Sequence, residues 1–202
     1  MVPEDSTVTK HRESALLVVD IQKDFCAGGA LAAPGGDEII PAVNRHLADA
    51  RAREVAVYAT RDWHPEQTSH FKEYGGTWPP HCVQGTRGAQ FHPDLRLPPD
   101  AIIVNKGDDP QRHGYSAFDG HTAAGKPLLD DLRDRHITRV YVMGIATDYC
   151  VRESALDALR AGLEVRVLAD AIAGIDVRPG DTQRALDEIS AAGAQIVQGL
   201  EA

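Results

Sequence analysis

The sequence is poor in the features that would direct it to a membrane, a secretory route or a nucleic acid. No apolar run in its 202 residues is long enough to span a bilayer. Residues 1–13 are polar and contain no apolar signal core, so they read as a leader that stands outside the fold. The net charge of -9 is the opposite of the basic excess that a phosphate backbone or an anionic lipid surface demands, so neither nucleic acid nor membrane is expected as a partner. Cysteine is scarce. The three residues, Cys26, Cys82 and Cys150, cannot all pair and are widely spaced, which predicts reduced thiols and a cytoplasmic location. There is no Gly-x-Gly-x-x-Gly fingerprint, since Cys26-Ala27-Gly28-Gly29 lacks that spacing. There is also no compact His-x-x-x-His helix motif, and no repeat, linker or low-complexity tract divides the chain.

What remains is an ordinary globular composition, 43% hydrophobic and 25% charged, of a length that suits one domain over residues 14–202. Ala15 to Asp20 is a continuous apolar run closed by a carboxylate, as in strands buried on both faces. Further strands are predicted over residues 54–60, 101–105, 139–143, 163–169 and 194–197. Helical spacing of apolar residues predicts helices over 35–53, 127–136, 152–161 and 181–192, with Pro127 suited to a first turn and Gly162 and Gly193 to stops. Strands alternating with helices indicate a three-layer αβα fold around a mostly parallel six-stranded sheet. Residues 61–100, rich in Pro, Gly, His and Trp, form a long excursion of the functional kind.

In such sheets ligands bind beyond the carboxyl ends of the strands. Each of the first four strands delivers a capable residue there: Asp20, Asp62 (two residues past its strand), Lys106 and Cys150. Cys150 falls between a strand and a helix, where unpaired N–H groups and the helix dipole lower a thiol pKa and hold an oxyanion. A carboxylate can take the thiol proton, and a lysine can hold the charges. Each residue also has a plainer reading, as a packed thiol, a loop carboxylate or a snorkelling lysine. A second group is Asp62, His64, His70 and His81. A carboxylate with two or three imidazoles suits zinc, iron or manganese. His92 and His121 read as solvated or packed, and Cys26 and Cys82 as structural. The aromatics Phe25, Trp78 and Tyr115 either wall a flat ligand or simply pack their loops.

The stretches Val18-Val19-Asp20-Ile21-Gln22-Lys23-Asp24-Phe25, Thr60 to His64, Thr77 to Thr86, Asn105-Lys106-Gly107 and Gly144 to Val151 occur in this order over nearly the whole chain. Together they resemble the nicotinamidase branch of the isochorismatase-like cysteine hydrolases. The resemblance implies Cys150 as nucleophile, Asp20 as base and Lys106 as the third member. It implies one divalent ion, zinc first and iron or manganese as alternatives, on Asp62, His64 and His81, with His70 matching an additional ligand of some members. It implies a cis peptide at Ile145–Ala146, an oxyanion hole from the Ala146 and Cys150 amides, and a ring pocket of Phe25, Trp78 and Tyr115. The activity implied is hydrolysis of nicotinamide, and of pyrazinamide, through a Cys thioester in NAD salvage. A small aromatic amide is then the partner, and a homodimer is left open. The rivals are isochorismatase proper, a carbamoyl-amide hydrolase of the same superfamily, and a non-catalytic metal-binding or redox-sensing protein.

Overall fold

The structure is a computed structural model, and it describes residues 13–200; the leader expected over residues 1–13 lies, apart from Glu13, outside the described residues. The elements run β1 (Ser14–Val19), α1 (Ile40–Ala52), β2 (Ala56–Asp62), β3 (Ile102–Lys106), β4 (His121–Thr122), α2 (Leu128–Asp134), β5 (Arg139–Ile145), α3 (Arg152–Arg160), β6 (Glu164–Ala173), α4 (Asp181–Ala191) and β7 (Gln195–Val197). They build one sheet of seven strands in the order β4-β3-β2-β1-β5-β6-β7. Every neighbouring pair is parallel except β3 and β4. Among the described residues no helix is long and apolar enough to cross a membrane.

β1 is central because it is apolar on both faces. Leu16 and Val18 join the core on one side, with Ile40, Val43 and Leu47 of α1. Ala15, Leu17 and Val19 join the other, with Leu128 and Leu132 of α2, Ala155 and Ala158 of α3 and Ile189 of α4. Side chains alternate across a strand, so one continuous apolar run feeds both layers. Each fully buried Val or Leu contributes about 1.5–3 kcal/mol. The chain leaves β1 towards β2 and β3 and returns on its other side with β5, so the strand order reverses between β1 and β5. A crevice opens at such a reversal.

The strand count is seven rather than six. The extra strand, β4, is two residues long and pairs antiparallel with Val104 and Asn105, too short for any periodicity to announce it. β2 reaches Asp62, which stands opposite Lys106 in the parallel register and so ends its strand instead of following it. β6 continues past Ala169 because Asp170 interrupts the apolar run only chemically; it turns outward to Arg45 and His46, and Ala171 and Ala173 return to the core. α1 begins at Ile40, with residues 35–39 as a turn ahead of Pro41.

Candidate active site

Four strand ends meet at the reversal. Lys106, at the end of β3, is fully buried among oxygen and sulfur atoms. Its Nζ lies 2.8 Å from Asp20 Oδ2 and 2.5 Å from Asp62 Oδ1. It donates to the Gly114 carbonyl at 3.2 Å and lies 3.3 Å from Cys150 Sγ. Asp20 follows β1 with φ 49 and is itself fully buried. Thr60 Oγ1 donates to Asp20 Oδ1 at 2.6 Å and accepts the Asp20 N–H at 3.2 Å.

The charges explain one another. Burial pushes Asp20 up, Lys106 opposes this and Asp62 adds to it, leaving its pKa raised to about 6. Burial also acts against the charge on Asp62, but Lys106 and His64 outweigh it and hold Asp62 well below the usual carboxylate range. Burial would lower Lys106, yet Asp20 and Asp62 overcome it and keep the ammonium charged. The Cys150 thiol is raised well above its ordinary value by burial, with Lys106 opposing and Asp20 and Asp62 adding. The lowered thiol pKa expected from a helix start is therefore not what the geometry produces. Cys150 lies inside a π-helical turn, Thr147–Val151, between β5 and α3, with two carboxylates beside it. Its proton has an acceptor close by, because a carboxylate oxygen of Asp20 lies within 4.8 Å of the sulfur. The peptide Ile145–Ala146, just before this turn, is cis. The Ala146 carbonyl accepts the Tyr149 and Val151 N–H groups at 3.1 and 3.0 Å.

Asp62 divides its oxygens between two groups. Oδ1 faces Lys106, while Oδ2 lies 3.6 Å from His64 Nε2 and 4.0 Å from His81 Nε2. His64, His70 and His81 are buried, with one ligand atom each within 4.8 Å of the others. His64 Nδ1 pairs with the Gly107 carbonyl and His81 Nδ1 with the Pro79 carbonyl, both at 2.8 Å. A carbonyl only accepts, so in both rings Nδ1 is the donor and Nε2 is the atom turned to the cluster. His64 Nε2 is buried with no hydrogen-bond partner. Burial, then the neighbouring imidazoles His64 and His81, lowers His70 to about 3, and burial lowers His81 too, so these two rings are neutral at pH 7. Three imidazoles beside an ionised carboxylate form a donor set fit for a divalent transition ion.

Gly107 is required where it stands. It has φ 70, and a Cβ there would lie 2.6 Å from His64 Cε1, while Gly114 packs so close that a Cβ on it would lie 2.4 Å from Gly107 Cα. The expected aromatics line this cluster. Phe25 packs on His81 with ring centroids 5.5 Å apart, and Tyr115 meets His70 at 5.4 Å. Trp78 Nε1 donates to the Tyr115 hydroxyl at 2.8 Å. Cys82 is buried, its N–H bonded to Asp24 Oδ2 at 2.7 Å. His121 pairs with Asp108 at the surface. Cys26 lies near Asp37 and His92, but His92 Nδ1 accepts the Asp94 N–H, so its proton is on Nε2 facing Asp37. Burial and Asp37 raise the Cys26 thiol to about 12, which leaves it a neutral packing group.

A model of the isochorismatase domain matches residues 14–199. The chain belongs to the isochorismatase domain family. This family member is 43% identical over 198 residues to a nicotinamidase of Escherichia coli K12, covering 90% of this chain and 93% of the relative. It is 44% identical over 186 residues to a nicotinamidase/pyrazinamidase of Mycobacterium tuberculosis, covering 91% and 97%. The crystal structure of Pyrococcus horikoshii pyrazinamidase in complex with zinc superimposes with a TM-score of 0.85 at 48% identity, covering 92% of this chain and 99% of that one.

Three residues of this isochorismatase-family site were missed in the sequence. Thr60 holds Asp20, and Gln22 clamps Asp62 by accepting its N–H at 2.8 Å and donating to its carbonyl at 2.9 Å. His113 lies with Nδ1 3.1 Å from His70 Nδ1. Gln22 and Thr60 stand inside the stretches 18–25 and 60–64, next to more obviously reactive residues. His113 sits in a polar loop that nothing in the pattern ties to the site.

Proposed function

We propose that this chain is a nicotinamidase: a cysteine amidase that hydrolyses nicotinamide to nicotinate and ammonia, accepts pyrazinamide, and serves NAD salvage in the cytoplasm as a single domain over residues 14–202. The observation that carries this reading is the division of Asp62 between Lys106 and the imidazoles, which sets a thiol with its base directly beside a metal-ligand cluster. A vinyl-ether hydrolase of the isochorismatase kind leaves both groups without work.

Asp20 takes the Cys150 proton as the thiolate attacks the carboxamide carbon. A carboxyl group raised to about 6 is matched to that transfer near neutral pH, and Lys106 offsets the negative charge passing between Asp20 and the sulfur. The amides of Ala146 and Cys150 receive the oxyanion, each such donor being worth roughly 3 kcal/mol of barrier. Asp20 then returns the proton to the departing ammonia, and a thioester forms on Cys150. Water, deprotonated by Asp20, hydrolyses it to the acid. Phe25, Trp78 and Tyr115 hold the ring. Asp62, His64, His70 and His81 would hold one divalent ion, zinc in the first place, and when bound it supplies a Lewis acid for the ring nitrogen or for water.

Ammonia release from nicotinamide, pyrazinamide and aliphatic amides tests this, with wild type, Cys150→Ala and chelator-treated protein. Turnover of pyridine and pyrazine amides that vanishes in Cys150→Ala is expected. Wild-type turnover by Cys150→Ala overturns the nucleophile, and no turnover of any aromatic amide overturns the substrate.

A further inference from the structure

The three imidazoles of the cluster are not held alike. His64 and His81 have their tautomers fixed by backbone carbonyls. His70 does not: the partner of its Nδ1 is another imidazole, His113 Nδ1, at 3.1 Å. An imidazole nitrogen can donate or accept, so the inward lone pair of His70 depends on how His113 is set. The His113 ring is stacked on Tyr115, with centroids 5.5 Å apart and planes 20° apart, and the Tyr115 hydroxyl accepts from Trp78. The loop carrying His113 is tied to the His70 segment a second time, through the Pro110 carbonyl, which accepts Ser69 N–H at 2.9 Å and Thr68 Oγ1 at 3.3 Å.

We propose that His113 is a positioning residue for His70. It accepts the His70 Nδ1–H, turns the His70 Nε2 lone pair into the cluster, and so makes His70 a full ligand of this chain's divalent ion. The proposal rests on the reading that the imidazole cluster holds that ion. It also connects the ligand to the ring wall, since one face of His113 lies on Tyr115. An exposed loop histidine thereby does for His70 what the main chain does for the other two.

The full chain is titrated with Zn²⁺ against a chromophoric chelator, as wild type, His113→Phe, His113→Asn and His70→Ala. Phe keeps the stack on Tyr115 without an acceptor, and Asn keeps an acceptor near the Nδ1 position without the stack. His113→Phe is expected to lose roughly 10–100-fold in zinc affinity, the usual cost of removing a ligand's outer partner, and His113→Asn to stay near wild type. Long-range proton–nitrogen correlation of the zinc-loaded wild type is expected to show His70 protonated at Nδ1 and metallated at Nε2. The proposal is overturned if His113→Phe binds zinc like wild type, if His113→Asn falls as far as His113→Phe, or if His70 is metallated at Nδ1. A His70→Ala loss alongside an unchanged His113→Phe overturns this proposal alone. Unchanged affinity in His70→Ala removes the ligand assignment beneath it.

Discussion

Thr60 Oγ1 both donates to the Asp20 carboxylate at 2.6 Å and accepts the Asp20 N–H at 3.2 Å, so one hydroxyl fixes the rotamer and the backbone of the proposed base. The bond to the carboxylate favours its ionised form and opposes burial, and the balance with the nearby charges leaves the pKa raised to about 6. Asp20 accepts a proton only when ionised, so kcat/KM should climb through pH 6 and flatten above it. In Thr60→Val the stabilised form is the one lost, the pKa rises further, and the acid limb moves to higher pH. Thr60→Ser should restore it. A limb that stays put or moves down in Thr60→Val would refute the coupling.

Among the described residues, Lys106 is the one cation within hydrogen-bond reach of Asp20. Replacing it by Met leaves Asp20 and Asp62 buried without their ammonium. Breaking a buried pair from one side costs roughly 3–5 kcal/mol, and denaturant unfolding should show a loss of that size along with turnover. Adding Asp20→Asn to Lys106→Met should return part of the stability while leaving the protein inactive. Lys106→Met with wild-type stability would contradict the charge balance described above.

Chelation should remove activity and lower the unfolding midpoint, and added Zn²⁺ should restore both. An ion present at a hundred times its Kd stabilises by about 2.7 kcal/mol. Cys150→Ala should keep the ion-dependent midpoint while losing turnover, since the thiol is outside the imidazole cluster. Activity untouched by exhaustive chelation would argue that the ion has no part in the reaction.

Gly107→Ala should be damaging out of proportion to its size. The added carbon would lie 2.6 Å from His64 Cε1 at a φ of 70 that L residues rarely adopt. Strain of this kind costs of order 1–3 kcal/mol, and the displaced ring should also weaken zinc binding. A variant with normal stability and normal zinc affinity would show that His64 has room to move.

The αβα architecture was legible because its information is local and repeated: β1 is apolar on both faces, and helical spacing recurs between strands. The meeting of Asp20, Asp62, Lys106 and Cys150 was legible for the same reason, since parallel topology brings strand ends to one edge. The electrostatics were not. A helix start argues for an acidic thiol, but the protonation of Cys150 depends on its depth and on two carboxylates far away in the chain. β4 and His113 were hidden differently: two paired residues carry no period, and an exposed histidine in a polar loop looks like any other until its neighbour is known.

The reversal between β1 and β5 also divides the site by chain order. Asp20, Lys106 and all four residues of the proposed ion site come from before β5, and the thiol and the two proposed oxyanion amides come from beyond it. A chain halted before β5 would hold every imidazole yet leave the inner edge of β1 unpaired, from Ser14 to Val19. That edge is long and apolar, the kind that recruits other strands. Nascent or truncated chains of this protein are therefore most exposed to aggregation at the strand that later flanks the nucleophile.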